Sequence, residues 1–228
     1  MPINTCVFDA YGTLFDVNAA ARIAANEPDR KVFKEVWPSV SSIWRMKQLQ
    51  YSWLRSITGS YIDFWSITQD SLDFALETHE LQNDLVLKER LLALYWELQP
   101  YSEVSQMLKD LKENGMKTAI LSNGSPEMLS GAVKSSNLNE LIDEIISVEK
   151  VKIFKPSARV YEQVENIIGC SKAEVLFVSS NGWDIAGAAG FGFTTAWVNR
   201  LKDPIDRLPH KPRHIVEDLT SIPSFFSN

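Results

Sequence analysis

From about residue 100 onward the chain alternates short apolar runs with segments of helical period, and no other feature narrows its fold as much. After Tyr101, Val104, Met107, Leu108 and Leu111 share one helical face, and Gly115 stops the helix. The run 118–122 reads as a strand, and Ser125-Pro126-Glu127 as an N-cap with proline at the first helical position. A further face of Val160, Tyr161, Val164, Ile167 and Ile168 ends at Gly169. The runs 175–179 and 194–198 read as strands around a short helix from Trp183, and the second closes the pattern. Repeated βα units predict a parallel sheet covered by helices on both faces.

One earlier strand belongs to that sheet. Residues 5–9 form a short apolar run ending in the carboxylate of Asp9. The stretch 17–98 is helical almost throughout and is punctuated by Gly59 and Pro100. Three faces are predicted there: Ile43, Trp44, Met46, Lys47, Gln50, Tyr51 and Leu54; Leu72, Ala75, Leu76 and His79; Leu87, Leu91, Leu94 and Leu98. The expected architecture is α/β: a Rossmann-like, doubly wound parallel core (1–16 and 99–228) with an α-helical cap, 17–98, inserted after the first strand.

The chain has 228 residues, 45% hydrophobic and 23% charged, which excludes a disordered or fibrous chain and permits a large core. Its 29 acidic residues outnumber 23 basic ones, giving a net charge of −6. Nucleic acid and anionic membranes both demand a basic face, so neither is expected as a partner. Cys6 and Cys170 are too few for a disulfide framework and sit in apolar contexts, so buried reduced thiols are expected. The first residues carry no basic region and no long apolar stretch, which predicts a cytoplasmic protein without a signal peptide or membrane span.

In open α/β sheets ligands bind at the carboxyl ends of strands. That rule selects Asp9, Ser122-Asn123-Gly124, and the segment from Ser179 to Asp184, with Lys155 just before a helix in the same layer. The segments Phe8-Asp9-Ala10-Tyr11-Gly12-Thr13-Leu14, Leu121-Ser122-Asn123-Gly124, Lys155-Pro156 and Ser179-Ser180-Asn181-Gly182-Trp183-Asp184 occur in the order of the haloacid dehalogenase superfamily. Within it the chain resembles the L-2-haloacid dehalogenases, end to end. Trp44-Arg45-Met46-Lys47-Gln48-Leu49-Gln50-Tyr51-Ser52-Trp53 resembles that subfamily's cap helix.

The resemblance makes Asp9 the nucleophile. A carboxylate, with an ordinary pKa of about 3.9, is ionised at neutral pH and needs no activating base. Superfamily phosphatases carry a second Asp two residues on, which protonates an alkoxide leaving group; here that position is Tyr11. Halide leaves without a proton, so the loss abolishes phosphoester chemistry and spares dehalogenation. Ser179-Ser180 likewise replaces the Gly-Asp step that helps those enzymes hold Mg²⁺, and only Asp184 remains. Neither a metal nor another cofactor is therefore expected.

The resemblance further implies that Arg45 and Asn123 receive the halide and that Ser122 and Ser179 donate to the substrate carboxylate. Lys155 balances Asp9 and Asp184. Thr13 and Asn181 orient the nucleophile and its water, Tyr161 lies near the site, and Asp184 is the base or the positioner of the water. Tyr11, Leu49, Phe64 and Trp183 wall the substrate alkyl group. Each also has a structural reading: a surface arginine, turn serines, a helix-start lysine, packed core aromatics. The implied substrate is a small halogenated carboxylic acid, hydrolysed with inversion through an ester on Asp9. The resemblance also points to a homodimer. A phosphatase of the same superfamily and a silent binding protein on this fold are the alternatives.

Other features read as structural. His210 and His214 lie four apart, but Pro209 and Pro212 argue against a helix there, so solvated loop residues are expected. Gly190-Phe191-Gly192 reads as a tight turn into the next strand. Five of seven tryptophans (Trp37, Trp44, Trp53, Trp65 and Trp96) fall in the helical insert, where they are expected to pack its core and contact surfaces.

Overall fold

A computed structural model describes residues 2–226. Its six strands are β1 (Thr5–Phe8), β2 (Lys117–Ser122), β3 (Glu144–Ser147), β4 (Val175–Ser179), β5 (Thr194–Val198) and β6 (His214–Val216). They form one sheet in the order β3-β2-β1-β4-β5-β6, and all neighbours run parallel. β1 is flanked by β2 and β4, so three strand ends converge where the strand order reverses. The central strands β1 and β4 are buried along their whole length, as a sheet covered on both faces requires.

Eight α-helices follow the expected alternation. Four lie between β1 and β2 before the first core helix: α1 (Ala19–Ala25), α2 (Lys31–Thr58), α3 (Phe64–Glu77) and α4 (Leu85–Trp96). The core helices are α5 (Val104–Glu113), α6 (Pro126–Ser135), α7 (Ala158–Ile168) and α8 (Gly182–Phe191). Local chemistry fixes their ends. Asp63, Asp84 and Ser125 accept from the backbone N–H groups of Ser66, Leu87 and Met128, and Gly59 and Gly169 end α2 and α7 in the left-handed region. The chain leaves for α1–α4 and returns side by side: Asp16 N–H donates to Gln99 O at 3.0 Å, and Tyr101 N–H to Leu14 O at 3.0 Å.

Several expectations change. β3 and β6 were not expected, so the pattern does not close at β5. His214 is therefore an edge-strand residue, its ring stacked on Phe225 at 4.7 Å; only His210 is an exposed loop residue. Cys6 is buried but Cys170 is half-buried; both are free. On α2 the buried face is Phe33, Val40, Ser41, Trp44, Gln48 and Ser52, whereas Met46 and Leu54 point outward. On α4, Tyr95 is buried and Leu94 only half-buried. The longer polar side chains of Gln48 and Tyr95 go inside because they satisfy each other. Gln48 Nε2 donates to Thr68 Oγ1 at 3.0 Å and to Tyr95 OH at 3.1 Å.

Tryptophans do concentrate where expected. Trp44 is buried and donates to Thr68 O at 2.8 Å. Trp65 meets Trp96 edge-on, and Trp53 meets Trp183 edge-on, the latter bringing α2 to the start of α8.

Candidate active site

Asp9 directly follows β1, and its own N–H donates to Val178 O at 2.9 Å, which extends the ladder and aims the carboxylate out of the sheet end. Both oxygens are held. Lys155 Nζ donates to Oδ1 at 3.1 Å. Thr13 Oγ1 and Asn181 Nδ2 donate to Oδ2, each at 3.0 Å. Oδ1 thus carries one protein bond and Oδ2 two. Thr13 is fixed in turn by Ser180 N–H, which donates to its hydroxyl at 2.8 Å.

Lys155 Nζ also donates to Asp184 Oδ2 at 2.9 Å, so one cation bridges two carboxylates with 1% or less of the Lys155 and Asp184 side chains exposed. Burial alone would lower the Lys155 pKa, but Asp184 and Asp9 together hold it above the ordinary lysine value. Burial raises Asp184; the lysine opposes this, Asp9 adds to it, and the net shift is upward. Tyr161 OH donates to Asp184 Oδ1 at 2.7 Å. Burial and then the adjacent Asp184 carboxylate keep that phenol protonated well above 10. Asp184 sits in the first turn of α8, where the helix dipole favours negative charge.

Arg45 reaches in from α2. Its Nη2 donates to Tyr11 O and to Asn181 Oδ1, both at 3.3 Å. Among the described residues no carboxylate pairs with it. Asn181 therefore presents its oxygen to Arg45 and its amide nitrogen to Asp9, which fixes the amide's orientation. Asn123 Oδ1 accepts from Lys155 N–H at 3.0 Å, which leaves Nδ2 as the free donor. Ser122 and Ser179 are buried at the ends of β2 and β4. Their hydroxyls accept from the N–H groups of Gly124 and Asn181, leaving each O–H available to donate.

Aromatic rings close the other side. Tyr11 stacks on Tyr95 at 5.6 Å and lies 6.0 Å from Phe64. Phe64 meets Phe154, the residue before Lys155, at 6.1 Å. A cleft of about 760 Å³ is lined by Arg45, Leu49, Asn181 and Trp183, and by residues between Asn199 and Arg207. Asp9 does not line this cleft; Asn181, which does, donates to its Oδ2. Every expected site residue thus lies at the sheet end, at the start of α7 or α8, or on the faces of α2 and α3 turned toward them. Sequence reasoning missed the supports Gln48, Tyr95 and Ser180, and the post-β5 segment lining the cleft. The four-residue spacing of Tyr95 after Leu87 and Leu91 was the available signal. Among the described residues no group of three or more His, Cys, Asp or Glu side chains could hold a metal.

The family model of haloacid dehalogenase-like hydrolases matches residues 3–192. The (S)-2-haloacid dehalogenase 1 of Pseudomonas sp. (strain CBS-3) is 46% identical over 97% of this chain and 96% of its own length. The (S)-2-haloacid dehalogenase 4A of Burkholderia cepacia is 40% identical over 96% of this chain and 93% of its own. Among solved structures, the L-2-haloacid dehalogenase of Xanthobacter autotrophicus superposes with a TM-score of 0.88 at 37% identity, covering 98% of both chains. The same enzyme with chloropropionic acid covalently bound gives 0.87 at 36% identity, again covering 98% of both. Coverage at this identity, together with the geometry above, establishes that the chain belongs to the haloacid dehalogenase-like hydrolases and, within them, to the (S)-2-haloacid dehalogenases.

Proposed function

We propose that this chain hydrolyses short L-2-haloalkanoic acids to D-2-hydroxy acids through an ester on Asp9. One observation carries the reading: a guanidinium without a carboxylate partner among the described residues shares Asn181 with a carboxylate held at both oxygens. That arrangement suits an anionic leaving group on one side and a nucleophile on the other.

Asp9 attacks C2 in line, and the carbon–halogen bond breaks as the carbon–oxygen bond forms. The halide takes the bonding pair toward Arg45 and Asn123 Nδ2. Ser122 and Ser179 hold the substrate carboxylate with their free O–H donors. Tyr11, Leu49, Phe64 and Trp183 surround the alkyl group and keep water from the halide side. Water then adds to the ester carbonyl of Asp9. Asp184, whose affinity for a proton burial raises, receives the water's proton, and Lys155 and Tyr161 keep it in place. The tetrahedral adduct collapses and breaks the bond to the substrate oxygen, which takes the proton back from Asp184 and leaves as the hydroxy acid; the water's second proton passes to solvent, and Asp9 is again a carboxylate.

In this reading 17–98 forms a cap over a core of 1–16 and 99–228, and the reaction needs neither metal nor cofactor. The Lys155 ammonium supplies the positive charge between Asp9 and Asp184. Tyr11 stands where the superfamily phosphatases carry their second Asp, and burial raises its phenol well above the carboxylic-acid range of that group. The exposed apolar side chains Met46, Leu54 and Ile57 of α2 and Phe74 of α3 suit a homodimer. No helix among the described residues is long and apolar enough to cross a membrane, and two free thiols suit the cytoplasm.

A single turnover of (S)-2-chloropropionate in heavy-oxygen water with excess enzyme tests the mechanism. The label is expected in Asp9 and absent from the first product; label in that product would overturn the ester step. Release of phosphate from a chromogenic phosphoester with Mg²⁺, without chloride release from chloropropionate, would replace the reading with the phosphatase.

A further inference from the structure

Gly124 follows the two strand-end residues Ser122 and Asn123, yet it makes no side-chain contact of its own. Its backbone does not lie at positive φ, unlike Gly12, Gly59, Gly115, Gly169 and Gly192. Conformation therefore does not require glycine here; space does. A Cβ at 124 would sit 2.8 Å from Tyr11 Cε2 and 3.0 Å from its hydroxyl oxygen. The next nearest atom, Leu129 Cδ2 at 3.2 Å, is the tip of a flexible side chain and can yield.

Neither partner of the Tyr11 contact can retreat. Gly124 N–H donates to Ser122 Oγ at 3.2 Å, and Gly124 O accepts from Ser147 Oγ at 2.7 Å, so the backbone is tied to both β2 and β3. The Tyr11 ring is backed by Tyr95 at 5.6 Å and flanked by Phe64 at 6.0 Å, and it is almost wholly buried. Tyr95 in turn is tied to Gln48.

We propose that Gly124 is a specificity-determining positioning residue: its missing side chain is the seat of the Tyr11 ring, and so sets the wall against the substituent on C2 of the substrate. This rests on the dehalogenase reading above, with Tyr11 as part of that wall. A side chain at 124 drives the ring off its seat, and the reach of the pocket changes although no reacting group has been altered. Chloroacetate, which bears no alkyl group on C2, feels this least. 2-Chlorobutyrate, which presses an ethyl group against the wall, feels it most.

The test is a cycle of four proteins: wild type, Gly124→Ala, Tyr11→Leu and the double variant. Chloride release is followed on chloroacetate and on (S)-2-chlorobutyrate. Wild-type turnover of both comes first, because its failure would sink the dehalogenase reading and not the role of Gly124. Gly124→Ala is expected to lower kcat/KM on 2-chlorobutyrate by about 10²-fold, the scale of a misplaced site group, and on chloroacetate by much less. In the Tyr11→Leu background the same substitution should leave the ratio between the two substrates unchanged. Equal losses on both substrates, no loss at all, or the same change of ratio in both backgrounds would overturn the proposal. Should Gly124→Ala fail to fold, recovery of a soluble, cooperative protein in the double variant supports it. Failure of both forms to fold overturns it, since the collision would then not be with Tyr11.

Discussion

The sheet end and the helical insert build their halves of the site in opposite ways. At the sheet end both carboxylates are held by short bonds to neighbours: Asp9 by Lys155, Thr13 and Asn181, and Asp184 by Lys155 and Tyr161. Among the described residues Arg45, from the insert, makes only two 3.3 Å hydrogen bonds and pairs with no carboxylate. The insert spends its short hydrogen bonds on its own interior, where Trp44, Gln48, Thr68 and Tyr95 satisfy one another. In the reaction proposed above, the core offers a pre-arranged nucleophile, and the insert a cation without a carboxylate partner for a charge that appears only during reaction.

Removing the nucleophile is the strongest way to break this comparison. Asp9→Ala is expected to abolish chloride release in a protein that still unfolds cooperatively, and substantial remaining release would remove Asp9 from its role. Lys155→Met comes next. It leaves two buried carboxylates facing each other and should destabilise the fold by roughly 3–5 kcal/mol, read from urea unfolding. A loss below about 1 kcal/mol would mean that the lysine's charge is not what holds the sheet end together.

Arg45→Gln sharpens the contrast from the other side. It should lower kcat/KM by about 10²–10³-fold while the unfolding midpoint barely moves, because no ion pair is lost. A large fall in stability would show the cation to be structural. Trp44→Phe removes a buried donor from Thr68 O inside the insert and should cost about 1–3 kcal/mol of stability.

The smallest effect is in pH. Lys155 has a pKa raised above 10.5 in the folded state, so its contribution is fully present below that unfolded value. It is lost as pH rises through the folded value. Unfolding free energies measured from pH 9 upward should fall at the alkaline end, and Lys155→Met should flatten that fall.

Much of the site was legible because strand ends carry their own markers. Asp9, Ser122 and Ser179 each end a run of apolar residues, and a parallel sheet gathers such ends at one edge. The weak strands escaped notice for equally physical reasons. β3 has only Ile145 and Ile146 as apolar members, and β6 is three residues long beside Pro212 at a sheet edge. Both borrow their conformation from the neighbour they pair with. On α2, periodicity located a helix but not its buried side. Met46 and Leu54 are the more apolar residues, yet Gln48 is inside because Thr68 and Tyr95 await it there, and Ser52 is tolerated inside because its hydroxyl is satisfied by Leu49 O of its own helix.

By itself the sequence determined the alternating core, the place of the insert and the carboxylate at the first strand end, since those follow from local period and from strand-end chemistry. Tertiary structure alone decided which distant groups meet. Lys155 stands between residues 9 and 184, Asn181 faces both Arg45 and Asp9, and Tyr11 rests where Gly124 has no side chain. Those contacts depend on how α2, α8 and the strand-end loops pack in three dimensions, and no spacing along the chain encodes that.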